Sequence, residues 1–317
     1  MMTSFLRRQG SWMIIGLVAT LAVMAVVFSL ASPYFFTPEN FLVIGQTIAI
    51  EGLISIGETV IMIAGGLDLS IAAVAAVTGM LGATLILRGA SGIEATLGAL
   101  GAAAILGTVN SVVIVKFRIN PIIATLGSLL LFRGLAEVAA AGNNVVIGTD
   151  TWAFLGRGYF VGLPIPVLIY LAALILAYFF LSYTVIGNYI YAVGGNHEAC
   201  RNVGIKVDRL RFGLYILTAV FSGIAGLILM SQSGTAEPMA LNGAELDILA
   251  AVLLGGIGLT GGRGSVIGTF FGTLVMGTVS DGLIMVGVPL YWSEVARGFI
   301  LIFAVTLDSF RRGGGYR

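Results

Sequence analysis

Glu51 and Glu58 are carboxylates inside an otherwise apolar run, and Thr47 and Ser55 accompany them at steps of 4, 4 and 3 residues. At about 100° per residue the four fall within an ~80° arc, a polar stripe along one face of a helix. Facing lipid, each carboxylate would cost about 3 kcal/mol, so the stripe must face protein or water. Two readings fit it: the lining of a path for a polar solute, or a hydrogen-bonded seam between helices. A weaker stripe further on, Thr269, Thr273 and Ser280, runs beside the small pair Gly268 and Gly272 and ends next to Asp281. It carries the same two readings, and the small pair suits close helix packing. Arg133 with Glu137, and Glu294 with Arg297, stand at ion-pair spacing and are expected to neutralise each other.

Little else on the chain could do chemistry. His197 is the only histidine and Cys200 the only cysteine, so no metal cluster, disulfide framework or histidine-dependent triad can be assembled. No GxxxxGK[ST] phosphate loop occurs. Asp68, close to Gly65 and Gly66, invites an acid's role. Its place just before an apolar run suits an N-cap better, with its charge at the positive end of a helix. Gly261, Gly262 and Gly264 read as tight turns, and Arg263 alone does not make a nucleotide site. No catalytic residue, metal site or cofactor is expected in this chain.

The elements that must position these residues follow from composition. Of 317 residues 58% are apolar and 10% charged, with mean hydropathy +1.05, too few charges to cover a soluble domain. A net charge of +1 supplies no field for nucleic acid. Runs of about 20 apolar residues, the length that crosses a ~30 Å hydrocarbon core, recur throughout. The chain is therefore expected to be an all-α polytopic membrane protein, one transmembrane domain over 1–317. Spans are expected near 11–31, 41–64, 69–87, 93–115, 122–141, 164–182, 212–231, 246–259, 266–286 and 292–307. The first follows Arg7 and Arg8 and is too long for a signal-peptide core, so it reads as a retained helix.

Ten spans with both termini cytoplasmic put twelve of the sixteen Lys and Arg residues inside, among them Arg201, Lys206, Arg209, Arg211, Arg311, Arg312 and Arg317. Only Arg88, Arg133, Arg157 and Arg297 fall on the outer side. Two polar segments remain. Residues 142–163, outside, carry Trp152, Phe154, Tyr159 and Phe160, which suit either a headgroup-level aromatic belt or a partner-docking surface. Residues 183–211 form the longest inner loop.

That loop contains Gly194-Gly-Asn-His-Glu-Ala-Cys-Arg-Asn-Val-Gly-Ile205. Asn196 is an N-cap, Glu198 places negative charge in the first turn, and Gly204 fits a left-handed position past the end. Ala199, Cys200 and Val203 are expected on one face, with Glu198 and Arg201 free on the other. A short capped helix between two spans could transmit force from a soluble motor; a plain solvated linker is the alternative.

This stretch resembles the Glu-Ala-Ala…Gly motif of bacterial ABC-importer permeases, in which such a helix docks on the ATPase subunit. Ile63-Ala-Gly-Gly-Leu-Asp-Leu-Ser70 is similar to the GGIDLS signature of the monosaccharide branch, which includes ribose permeases. Leu253-Leu-Gly-Gly-Ile-Gly-Leu-Thr-Gly-Gly-Arg-Gly-Ser-Val-Ile-Gly-Thr269 is similar to its Gly-rich segment, and Glu245-Leu-Asp247 also fits. Departures are Cys200 in place of Ala, Ile71-Ala72 in place of Val-Gly, and Ser280-Asp281 where Asn pairs are frequent; Asp281 bears on substrate preference.

The resemblance implies an inner-membrane permease subunit that moves a monosaccharide or related solute by alternating access. ATP and Mg would bind on a partner ATPase. An extracytoplasmic solute-binding protein and a second permease, copy or paralogue, would complete the complex. In that frame Glu51, Ser55, Glu58, Thr269, Thr273 and Asp281 are candidates for the substrate path. Asn196, Glu198, Ala199, Arg201 and Gly204 would couple to the ATPase, and Gly65, Gly66, Asp68, Gly261 and Gly262 would be structural. The competing readings are an ion-coupled carrier using Glu51 and Glu58, and a membrane-embedded enzyme. The enzyme reading lacks a nucleophile or base to accompany the carboxylates.

Overall fold

The computed structural model describes residues 2–148 and 152–311, with side chains over 13–148, 152–289 and 291–308. The arginines Arg312 and Arg317, and the side chains of Arg7, Arg8 and Arg311, lie outside this description.

Apolar runs become helices wherever a cap and a turn bound them. Thr37 accepts the Asn40 N–H and Pro38 opens α2 (Pro38–Ile63), which ends where Gly65 adopts φ +77°. Ser91 and Glu94 form a capping box at the start of α4 (Gly92–Ser111), which runs on through a π-helical turn to Lys116. Asn120 caps α5 (Pro121–Ala139). The remaining long helices are α1 (Met2–Ala31), α7 (Ile165–Tyr183), α10 (Val207–Ser233), α12 (Val266–Met285) and α13 (Leu290–Arg311), with α3 (Ile71–Leu87) somewhat shorter.

Seven helices among the described residues are long and apolar enough to cross a membrane: α1, α2, α4 with its π-helical turn, α5, α7, α10 and α12. The expected span at 246–259 differs most. Its helix, α11 (Ala244–Leu254), has 11 residues, about 16 Å, roughly half of what a crossing needs. The glycines from Gly255 onward break it into turns.

α2 is the central element. Seventeen of its residues are buried, and α10, α7, α12 and α11 surround it. A Cβ on Gly57 would lie 2.9 Å from the Thr218 Cα, so α2 and α10 touch backbone to backbone. α1 packs mainly on α12 and leaves most of its surface outward.

Of the segment expected at 142–163, residues 142–148 and 152–163 are described. They contain β1 (Val145–Val146), α6 (Ala153–Arg157) and β2 (Tyr159–Phe160). β1 pairs with β4 (Thr235–Ala236), and β2 with β3 (Leu163–Pro164). The Gly156 N–H donates to the Ser231 hydroxyl at 2.9 Å, and that hydroxyl donates to the Trp152 carbonyl. These bonds clamp the segment to the end of α10, while Phe154, Tyr159 and Phe160 stay exposed.

Candidate functional site

The first polar stripe divides by accessibility. Ser55 and Glu58 are fully buried, as is the neighbouring Thr59, whereas Glu51 is partly exposed and Thr47 exposed. Ser55 returns its hydroxyl to the Glu51 carbonyl at 2.8 Å. Thr59 meets Thr269 of α12 hydroxyl to hydroxyl at 2.6 Å, and Thr273 meets the Tyr170 hydroxyl of α7 at 3.1 Å. Thr59, beside the first stripe, thus joins α2 to α12, and Thr273 of the second stripe joins α12 to α7, by bonds that need no water. At the opposite end of α12 from the Gly-rich turn, the partly exposed Asp281 accepts the Asn40 amide at 3.0 Å. The Glu51 side chain lies near the pair formed by Asp247 and Arg297.

That pair is a correction to the sequence reading. Arg297 donates to Asp247 across helices at 2.5 Å rather than closing on Glu294. Arg133 turns to the carbonyls of Pro238 and Ala240, at 3.1 and 2.7 Å, rather than to Glu137. In both cases a backbone or helix neighbour supplied by the fold outcompetes the neighbour on the same helix. The reason is that a guanidinium drawn into the fold, fully for Arg133 and partly for Arg297, must satisfy several donors at once.

Beyond the end of α2 the turn at 65–70 is built on Asp68. Its carboxylate accepts the Ser70 N–H (2.9 Å), the Ser70 hydroxyl (2.6 Å) and the Asn110 amide (3.1 Å), while its own N–H donates to Glu58 at 3.1 Å. The Ser70 bond is the one a cap requires, yet helix α3 begins at Ile71 and Ser70 itself holds the cap position. Asp68 is therefore the hub of a dry polar cluster linking α2, α3 and α4, more than a helix cap.

The loop at 183–211 is largely helical. After Thr184, α8 (Val185–Gly195) leads into α9 (His197–Asn202), and α10 begins at Val207. Asn196 caps α9 by accepting the Ala199 N–H at 2.9 Å, and Gly204 follows it at φ +86°. Of the face expected to be buried only Cys200 is, packed with Val193 and Val207; Ala199 and Val203 point outward. A six-residue helix lying on the joint of two others has room for one buried position. Arg201 pairs with Asp208 at 2.5 Å, half-exposed and worth little to stability. The result is a rigid outward knob with small apolar groups at its centre.

A family model described as the branched-chain amino acid transport system permease component matches residues 37–305. The chain belongs to this permease family. Similar proteins include the ribose import permease of Bacillus subtilis (strain 168), 38% identical over 290 residues, covering 91% of this chain and 90% of the relative. The ribose import permease of Escherichia coli (strain K12) is 35% identical over 297 residues, 92% of each. An L-arabinose ABC transporter permease of Azospirillum brasilense is 34% identical over 308 residues, 96% of this chain and 91% of the relative. The resemblance to sugar-import permeases read from the three motifs holds along the chain, and an ion-coupled carrier is not favoured. The permease is a multipass protein of the bacterial inner (plasma) membrane.

Sequence reasoning missed Asn110, Tyr170 and Tyr191. A lone Asn inside an apolar span is a usable signal, because an amide in hydrocarbon needs a partner. The two tyrosines gave none, since aromatic residues fill spans for many reasons.

Proposed function

We propose that the permease is the membrane subunit of an ATP-driven importer for a pentose or related hydroxylated solute. It would work as a pair, a copy or paralogue beside it, with an ATPase on the inner face and an extracytoplasmic binding protein delivering the solute. ATP and Mg would bind on the ATPase, and this subunit would break no bond. The observation that carries this reading is α9, capped at both ends and presenting Ala199 and Val203 outward between α8 and α10. A transporter driven by an ion gradient has no use for such a knob.

Topologically, the seven long helices with α3, α11 and α13 make the ten segments of the proposed layout, α11 being a half-span. Both termini and α9 lie on the cytoplasmic side in this layout. Within it, Glu51 and Asp281 are the path residues that keep access to solute. Ser55, Glu58, Thr269 and Thr273 shape the path's wall from behind: Thr269 holds α12 to α2 through Thr59, Thr273 holds α12 to α7 through Tyr170, and Ser55 and Glu58 bond within α2 and to the turn after it.

The test of the function is uptake of labelled D-ribose and L-arabinose into vesicles holding the permease, its ATPase and its binding protein. Uptake should require internal ATP and ignore ionophores. ATP-independent uptake that ionophores abolish would overturn the reading. The path and sidedness are tested together in a Cys200→Ala background. Cysteines at Glu51 and Asp281 should react with an aqueous maleimide during turnover, and cysteines at Ser55 and Thr269 should not. Cysteines at Val203 and Phe160 should label from opposite sides of sealed vesicles. Equal labelling of Ser55 and Glu51 would move the path to the buried face.

A further inference from the structure

Two glycine turns and the glycine end of α8, distant in sequence, meet at the root of the α8–α9 knob. Gly262, in the turn that leads into α12, donates its N–H at 2.8 Å to the Ile63 carbonyl at the end of α2. Gly194, near the end of α8, sits directly on that bond; a Cβ there would overlap both the Ile63 oxygen and the Gly262 nitrogen. A Cβ on Gly261 would lie 2.7 Å from the Gly65 nitrogen, and one on Gly262 would lie 2.9 Å from the Gly195 Cα. Gly261 and Gly262 both adopt positive φ, +82° and +75°, so their turn is doubly unsuited to other residues. Tyr191, one turn back on α8, then donates its hydroxyl to the Gly264 carbonyl at 3.0 Å. Ser265 follows immediately as the cap of α12.

We propose that this junction is the transmission of the importer: Gly194 and Tyr191 grip the end of α2 and the turn before α12, so displacement of the knob is delivered to both helices together. The proposal rests on the coupling assignment of α9 and extends it to residues that never touch the ATPase. Backbone packed on backbone has no rotamers to absorb a push, and interiors this dense transmit displacement instead of yielding to it. The two helices that would move are those carrying Glu51 and Asp281, the accessible polar groups of the proposed path. They also share the Thr59–Thr269 bond, so they are tied at two depths. Tyr191 and Gly194 are positioning residues in this scheme.

The test is the number of sugars imported per ATP hydrolysed, measured in vesicles holding the permease, its ATPase and its binding protein, with labelled D-ribose and L-arabinose as probes. Tyr191→Phe removes one hydroxyl from a half-buried ring and leaves folding and ATPase association intact. It should lower the sugar-to-ATP ratio about threefold or more. Gly194→Ala should lower it tenfold or more; where that variant fails to accumulate, Tyr191→Phe decides. A role in packing alone would reduce the amount of complex and leave the ratio unchanged. A wild-type ratio in Tyr191→Phe therefore overturns the proposal. Ala199→Pro, measured in parallel, separates the two levels. If it uncouples while Tyr191→Phe does not, the junction falls and the knob stands; if it does not uncouple, both fall.

Discussion

Ala199→Pro will abolish most of the stimulation that loaded binding protein exerts on ATP hydrolysis, by tenfold or more, while the permease still reaches the membrane in normal amount. The Ala199 N–H is the donor that the Asn196 side chain accepts at 2.9 Å, and proline has no N–H to offer. Loss of a cap costs about 1 kcal/mol, and proline also pushes Glu198 before it out of helical geometry. A helix of six residues is far below the length that sustains itself, so losing its first turn removes it as a rigid object. No membrane helix is touched, because Ala199 is exposed and contributes to no core. Hydrolysis is measured in reconstituted vesicles with loaded and unloaded binding protein, with ATPase association followed by co-purification. Normal stimulation would return residues 196–204 to the status of a linker.

Asp68→Ala will destabilise the folded permease by about 3 kcal/mol, seen as a thermal midpoint several degrees lower in detergent. The carboxylate gathers donors from Ser70 and Asn110, both fully buried, and alanine would strand all of them without water to replace it. Removing a negative charge close to Glu58 gives some of this back, which is why the figure stays below the sum of the lost bonds. Asp68→Asn keeps the shape and one acceptor and should lose about half as much, since its amide would face the Asn110 amide. A variant with alanine at full stability but without transport would make Asp68 a working acid and not a structural hub.

How much of this was legible beforehand depends on the range of the interaction. The α9 caps are local: Asn196 and Gly204 bracket a few residues, and the same two residues bound the helix in the structure. The long spans are local too, because each satisfies its own backbone and needs only length and apolarity. Its interior face was not. Val203 was assigned to the buried side by periodicity and is 77% exposed, because where the core lies around a short helix is set by α8 and α10. Arg133 and Arg297 failed for the same reason, their partners standing 105 and 50 residues away along the chain.

The amino-acid sequence by itself determined that this chain lives in a membrane, roughly where its helices run, and which family it resembles. Those properties follow from composition, from capping geometry within four or five residues, and from ordered motifs. Tertiary structure alone decided that α11 stops after 11 residues and that Thr59, Thr269, Thr273 and Tyr170 satisfy one another. It also decided that the glycines at 65, 194 and 262 form a single contact. The physical reason is common to all of these. A glycine turn or a hydroxyl in a helix has many equivalent local uses, and which one it serves depends on the backbone that the fold brings against it.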